Sequence, residues 1–407
     1  MFLPRSMSEP VLASSEQFPV LLLTGPRQVG KTTLLQRLAR KERRYVTLDD
    51  PASRLLARTE PALFLERYEP PVLIDEIQYA PELLPHIKMI ADGRRKRGLF
   101  WLTGSQQFHL MQGISETLAG RVAILSLLGV SNRERRRLDL SVEPFLPARR
   151  VLKRREASSM RLTLKRLYTD IWLGGFPALV TKSIRDRDLF YSSYLQTYLQ
   201  RDVKDLAQVG DEAAFVRFLK ACAARTGQLL NLTDLSRDVD VAVNTAKHWL
   251  SVLQASFQVL LLPPYHTNLT KRLIKTPKLY FLDTGLCAYL TEWSSPETLE
   301  AGAMSGAILE TYVVAEILKS WWNQGKQPAM FFFRNKDGME IDLLISQDQM
   351  LHPLEVKKSA TLRKEWAQPF SAIDRIKAKW SEGGVICLAR EWVPITREVS
   401  AIPIGWI

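Results

Sequence analysis

The stretch Val20-Leu21-Leu22-Leu23-Thr24-Gly25-Pro26-Arg27-Gln28-Val29-Gly30-Lys31-Thr32-Thr33 decides the fold. Its apolar opening reads as a buried strand, and the residues after it satisfy G-x-x-x-x-G-K-[ST] ahead of an amphipathic helical pattern. Phosphates need several backbone N–H donors at once. Glycines let a loop fold around them while the following helix presents its positive end. The expected nucleotide cradle is therefore Gly25, Pro26, Arg27, Gln28, Val29, Gly30, Lys31, Thr32 and Thr33, with ATP as its expected ligand. In this pattern Lys31 supplies a mobile cation for the β and γ phosphates, and the Thr32 hydroxyl is expected to hold Mg²⁺.

Outward from the loop, the first 130 residues alternate short apolar runs with helical patterns, the signature of βαβ units and a parallel sheet. Strands are expected at 20–24, 45–48, 72–75, 99–103 and 122–127. Val72-Leu73-Ile74-Asp75-Glu76 is an apolar strand ending in two carboxylates. Asp75 is expected in the Mg²⁺ shell, and Glu76 as the general base that polarises the attacking water. Thr103-Gly104-Ser105-Gln106 ends the next strand in small hydroxyls, where a γ-phosphate sensor is expected; Ser105 and Thr103 are equal candidates. Arg121 follows the helical stretch Ser115-Glu116-Thr117-Leu118-Ala119-Gly120 and opens another strand. That is the place for an arginine finger offered in trans to a neighbour in a homo-oligomer. The competing reading is an arginine paired with an acid at the sheet edge.

At 407 residues the chain is long enough for about two to three domains, and its 46% hydrophobic and 24% charged composition excludes a mostly disordered protein. Lys and Arg number 56 against 43 Asp and Glu, a net charge of +13. Between Ser131 and Arg166 there are twelve basic residues and four acidic ones. Such a concentrated positive field suits nucleic acid, with DNA the favoured partner, although a solvated helical face or an acidic protein partner fits the same charge. Cys222, Cys287 and Cys387 are too scattered for a disulfide framework or a zinc cluster. No apolar run approaches the length needed to cross a bilayer, so a cytoplasmic protein with no membrane association is expected.

The domains expected are a nucleotide-binding core at 1–130, a basic linker and helical lid at 131–187, a helical segment at 188–265 and an α/β domain at 266–407. In the third, Leu232-Thr233-Asp234-Leu235-Ser236 and 241–250 read as helix, turn and helix. The second helix offers Asn244, Thr245, Lys247 and His248 on one side and buries Ala246, Trp249, Leu250 and Leu253 on the other. Such a helix suits the DNA major groove, or serves as a spacer or protein dock. In the fourth, a helix around 310–320 precedes a hairpin at 330–345 that turns at Lys336-Asp337-Gly338, and then a strand at 354–357. Alternation along that strand puts Glu355 and Lys357 on one face and Leu354 and Val356 in the core. Asp342 and Glu355, with Glu310, are expected to hold Mg²⁺, leaving Lys357 to orient water for phosphodiester cleavage. The competing reading of Glu355 and Lys357 is an exposed salt-bridged face.

These motifs, together with Tyr45-Val46-Thr47-Leu48-Asp49-Asp50-Pro51, Asp75-Glu76-Ile77-Gln78, Leu118-Ala119-Gly120-Arg121-Val122, Tyr198-Leu199-Gln200-Arg201-Asp202-Val203, Lys275-Thr276-Pro277-Lys278 and Leu282-Asp283-Thr284-Gly285, resemble the prokaryotic AAA-type ATPases that carry a C-terminal domain of unknown function. The resemblance covers nearly the whole chain. It implies a P-loop NTPase parallel sheet with a helical lid, a winged-helix-like middle, and an α/β restriction-endonuclease-like end similar to PD-(D/E)xK nucleases. The function expected is ATP hydrolysis coupled to work on nucleic acid, with metal-dependent cleavage added. The rival is a nucleotide-dependent signalling or defence switch whose later domains bind a protein.

Overall fold

The structure, a computed structural model, describes residues 2–105, 117–198, 211–266, 276–335, 338–375 and 378–407. Gln106, Ser115, Glu116, residues 199–203, Lys275 and the Lys336-Asp337 turn lie outside the described residues. Two compact units form. One is Met1–Val130 with Ala255–Phe257 and Trp322–Gly325; the other is Ser131–Gln254 with Gln258–Trp321 and Lys326–Ile407.

In the first unit, strands β1 (Val20–Thr24), β2 (Arg44–Thr47), β3 (Val72–Asp75), β4 (Phe100–Gly104) and β5 (Val122–Ser126) form a sheet in the order β2-β3-β4-β1-β5. Every pairing in it is parallel. Each expected strand is present, with ends shifted by one residue in three of them. β1, β3 and β4 are buried along their whole length, because helices cover both faces of a parallel sheet. Leu22, Ile74, Leu102, Phe64 and Ile87 share the core on one of those faces. β1 feeds α1 (Lys31–Leu38), and α2 (Leu83–Arg94) lies between β3 and β4 in the chain. The sheet order sets β4 between β1 and β3, so three strand tips converge beside the loop after β1.

In the second unit, α3 (Glu212–Ala224), β6 (Gln228–Leu229), α4 (Leu232–Asp238), α5 (Val243–Ala255), β7 (Val259–Leu262) and β8 (Lys278–Phe281) carry an antiparallel sheet of order β6-β8-β7. The segment read from sequence as helical thus contains two short strands. β8 lies past the 265/266 boundary, so this sheet spans it. Residues 259–262 are four consecutive apolar residues, and periodicity cannot separate such a run from a helical segment.

The C-terminal sheet has the order β13-β14-β12-β11-β10-β9, with β9 (Ala329–Arg334), β10 (Glu340–Gln347), β11 (Met350–Val356), β12 (Gly383–Cys387), β13 (Val393–Pro394) and β14 (Val399–Pro403). β9, β10 and β11 are antiparallel neighbours, whereas β11-β12 and β12-β14 are parallel. The helix α6 (Ser305–Trp322) precedes it, longer at both ends than the pattern predicts. Glu355 and Lys357 lie on one side of β11 as the alternation expects, since they pair, while Val356 is only half-buried; Glu355 is 2% exposed, so the competing reading of an exposed face fails there because this side of the sheet is covered as well.

Candidate functional site

The loop after β1 is built by backbone geometry that few residues tolerate. Gly25 has φ +144°, and a Cβ there would fall on the Leu127 carbonyl oxygen. Leu127 is fixed in turn by donating its N–H to Thr24 O at 2.8 Å. Gln28 and Gly30 also have positive φ, which turns loop amides inward as an anion-binding concavity does. Gly30 then starts α1, whose first residue is Lys31. Lys31 is 5% exposed, and its Nζ donates to Gly25 O at 2.9 Å and Pro26 O at 2.8 Å, which holds the ammonium across the loop.

The tips of β3 and β4 close the other side. Thr32 Oγ1 donates to Asp75 Oδ1 at 2.7 Å. The same carboxylate oxygen accepts from Thr103 Oγ1, and that hydroxyl accepts from Glu76 N at 3.0 Å. Glu76 has φ +58°, a conformation uncommon outside glycine and concentrated at functional sites. Its Oε2 accepts from Gln78 Nε2 and from Ser105 Oγ at 3.4 Å. The two hydroxyls that sequence could not separate therefore differ: Thr103 braces Asp75 and the Glu76 backbone, and Ser105 meets the Glu76 carboxylate. The hydroxyl and carboxylate of Thr32 and Asp75, already in contact, are the hard oxygen donors that Mg²⁺ prefers, so these residues fit the ion.

Two contributors have no role assigned from sequence, although Tyr45 opens one of the motifs that carry the family resemblance. Arg5, 5% exposed, donates from Nη1 to Val29 O at 2.8 Å and from Nη2 to Leu128 O at 2.7 Å, tying the loop to the chain after β5. Tyr45 donates to Asp75 Oδ2 at 3.3 Å, and burial with the Asp75 charge pushes its phenol up to about 12. Arg121 makes a two-point pair with Asp92 of α2, Nε to Oδ1 at 2.5 Å and Nη2 to Oδ2 at 3.0 Å. β5 is an edge strand, so within one chain Arg121 has the sheet-edge arrangement that competed with the finger.

A second cluster lies in the C-terminal region. β10 slips register against β9 between Ile341 and Leu344, and this irregularity contains Asp342. Bulges of this kind re-aim side chains; here Asp342 Oδ2 accepts from Val356 N at 2.9 Å. Glu355 Oε2 accepts from Lys357 Nζ at 2.5 Å, while Glu355 Oε1 is buried with no hydrogen-bond partner. Glu310 of α6 accepts from Lys278 Nζ at 3.0 Å and from Tyr280 Oη at 2.5 Å, both on β8. Lys278 also pairs with Glu340. Burial and the Asp342 charge push Glu310 and Glu355 upward. Burial opposes the Lys278 ammonium, but Glu310, Asp342 and Glu340 more than offset it and raise it to about 12. Glu310, Asp342 and Glu355 were expected as Mg²⁺ ligands. Among the described residues no three His, Cys, Asp or Glu side chains are placed to hold a metal ion, and a lysine lies among these carboxylates, so as arranged they do not fit Mg²⁺.

The basic segment is partly consumed internally. Arg133 and Arg155 are buried, donating to Asp139 O at 2.8 Å and Trp406 O at 2.9 Å. Arg135 and Arg136 pair with the buried Asp170. Arg149, Arg150, Lys153 and Arg154 stay exposed. On α5, Asn244, Lys247 and His248 are exposed and Thr245 is half-buried, opposite buried Ala246, Trp249, Leu250 and Leu253. Among the described residues no helix is long and apolar enough to cross a membrane.

A parallel sheet with β4 inserted between the loop strand and the Asp75-Glu76 strand, and a lysine-bearing loop capping α1, define a P-loop nucleotide-binding ATPase core of the AAA type. Comparison with known proteins agrees: residues 17–135 match the AAA domain family, 164–297 a domain of unknown function (DUF8612), and 305–407 a domain of unknown function (DUF4143). The uncharacterized proteins Rv2008c of Mycobacterium tuberculosis and Mb2031c of Mycobacterium bovis are each 31% identical over 348 residues, covering 84% of this chain and 71% of theirs. The chain belongs to the family of AAA-domain proteins that these two represent. Among solved structures it is similar to the Walker-type ATPase PABY2304 of Pyrococcus abyssi, at 17% identity and TM-score 0.44, over 71% of this chain and 96% of that one. It is also similar to a Thermotoga maritima RuvB, at 18% identity and TM-score 0.30, over 63% and 87%.

Proposed function

We propose that the protein hydrolyses ATP at the loop after β1 and uses the cycle to act on nucleic acid. The observation that carries the first half is the convergence of Lys31, the Thr32-Asp75 pair and Glu76 at adjoining strand tips. Loop amides and the start of α1 bind the phosphates. Lys31, held across the loop by two carbonyls, is placed to exchange them for phosphate oxygens. Mg²⁺, when held by Thr32 and Asp75, neutralises charge developing on the phosphates. Glu76 orients the attacking water, and Gln78 and Ser105 fix where its carboxylate lies.

Support for nucleic acid comes from α5, whose exposed Asn244, Lys247 and His248 top a helix anchored by Trp249 against Phe215 and Phe218 at ring distances of 5.3 and 5.5 Å. The exposed Arg149, Arg150, Lys153 and Arg154 supply phosphate contacts. Metal-dependent cleavage is not part of this reading, because Lys278 engages the carboxylates it would need. Internal use of Arg133, Arg135, Arg136 and Arg155 favours the rival, a nucleotide switch that binds a protein.

Lys31→Ala is expected to lose ATP binding, and Glu76→Gln to bind ATP without turnover, in equilibrium binding and phosphate-release assays. Unchanged turnover in Glu76→Gln would remove the base assignment. Duplex DNA affinity is expected to fall with salt at a log-log slope of about −0.9 per phosphate neutralised. Absence of binding at low salt selects the switch.

A further inference from the structure

The carboxylates of the C-terminal sheet raise a question of charge balance. Glu310, Glu340, Asp342 and Glu355 converge from α6, β10 and β11, and the cations that meet them are Lys278, Lys357 and, on Glu340 from β9, the more exposed Arg334 at 3.6 Å. Lys357 is 35% exposed and pairs with Glu355 at the end of β11. Lys278 is different. It is 4% exposed, enters from β8 of another sheet, and touches both Glu310 and Glu340. Phe332 lies beneath its ammonium, 5.7 Å from ring centre to Nζ, and Tyr280 of the same strand donates to the Glu310 oxygen that Lys278 holds. A buried ammonium is stable only when carboxylates surround it, and buried carboxylates need a cation in return.

We propose that the Lys278 ammonium is the resident cation of this cluster and takes the place a divalent metal would need, so that the cluster binds such a metal only when Lys278 is removed. Two observations carry this. Lys278 engages carboxylates from two elements at once, as a metal ion does and as an ordinary surface lysine does not. Glu355 Oε1 is buried and without a hydrogen-bond partner, a hard oxygen donor left over once Lys357 has taken Oε2. A divalent ion brought beside Lys278 would meet a like charge in a poorly solvated pocket, and magnesium also gives up its water reluctantly. Without the ammonium, Lys357 still balances Glu355 and Arg334 still reaches Glu340, but Glu310 loses its ion pair and Glu355 Oε1 stays without a hydrogen-bond partner.

The test is Mn²⁺ titration of the full-length, nucleotide-free protein, followed by the electron paramagnetic resonance signal of free Mn²⁺. Any ion at Thr32 and Asp75 is common to every variant and cancels. The parent is expected to show no Mn²⁺ site that depends on Asp342. Lys278→Met is expected to gain one such site per chain, and Lys278→Met with Asp342→Asn to lose it. A parent site abolished by Asp342→Asn overturns the proposal. So does a folded Lys278→Met protein that gains no ion. Lys278→Gln, which keeps a hydrogen-bonding head, makes the same comparison should the methionine variant not fold, with a Mn²⁺-dependent rise in Tm as its readout.

Discussion

Thr103 shows how one hydroxyl can hold two functional groups in register. It donates to Asp75 and accepts from Glu76 N, so the carboxylate beside Thr32 and the backbone of Glu76 move together. Thr103→Val keeps the shape and leaves a buried N–H without its acceptor, which is expected to destabilise the nucleotide-binding unit by about 1–3 kcal/mol. Denaturant midpoints measure that loss, and Thr103→Ser is expected to restore both stability and turnover. Equal midpoints for Thr103→Val and the parent would show that the bridge carries no weight. Sequence cannot separate Thr103 from Ser105 because their roles depend on which carboxylate each meets, and those carboxylates lie 28 and 29 residues away on another strand tip.

Two short motifs distant in sequence prove to be one packing element. Gly174 follows the helix Leu164–Leu173, whose first turn is capped by Thr163. With φ +76°, a Cβ on Gly174 would fall on Tyr191 Oη and Asp283 Oδ1. Asp283 in turn accepts from Gly175 N at 2.7 Å and Tyr191 Oη at 2.9 Å, so the Gly174-Gly175 and Asp283-Thr284-Gly285 motifs dock backbone to backbone. Gly174→Ala is expected to cost about 1–3 kcal/mol in backbone strain alone, visible as a fall in Tm with ATP affinity unchanged. β5 supplies a second case at the same scale. If Arg121 leaves Asp92 to act in trans, Arg121→Ala leaves ATP binding intact and lowers turnover in a way that depends on protein concentration. Equal turnover of parent and variant at every concentration would assign Arg121 to Asp92 alone.

Across the whole molecule, charge is distributed by burial more than by composition. The net charge of +13 is real, yet four arginines of the most basic segment serve internal carbonyls and Asp170. His352 on β11 gives the C-terminal sheet a pH dependence of calculable sign. Burial holds its imidazole below the ordinary 6.5, against the opposing pull of the Glu382 carbonyl and the Glu382 and Asp348 charges. The unfolded chain takes up that proton at a higher pH than the folded one. Stability from this group is therefore present above about 6.5 and is lost as pH falls below it. His352→Gln is expected to lose less Tm than the parent between about pH 8 and about pH 5. An identical loss in both would refute the assignment.

Sequence alone determined the nucleotide-binding unit, because its information is local. The strand at Val20–Thr24, the loop glycines, Lys31 and the carboxylates after Ile74 are each legible within a few residues, and the expected strands recur in the structure. The C-terminal cluster was legible only in part. Glu310, Asp342, Glu355 and Lys357 could be picked out by residue type and order, but Lys278 could not, since it reads as an ordinary basic residue between Pro277 and Leu279. Its partners lie 32 and 62 residues away on different elements. Whether a set of carboxylates awaits a metal or already encloses an ammonium depends on which side chain fills a space of a few ångströms, and only the folding of β8 against α6 and β10 decides that.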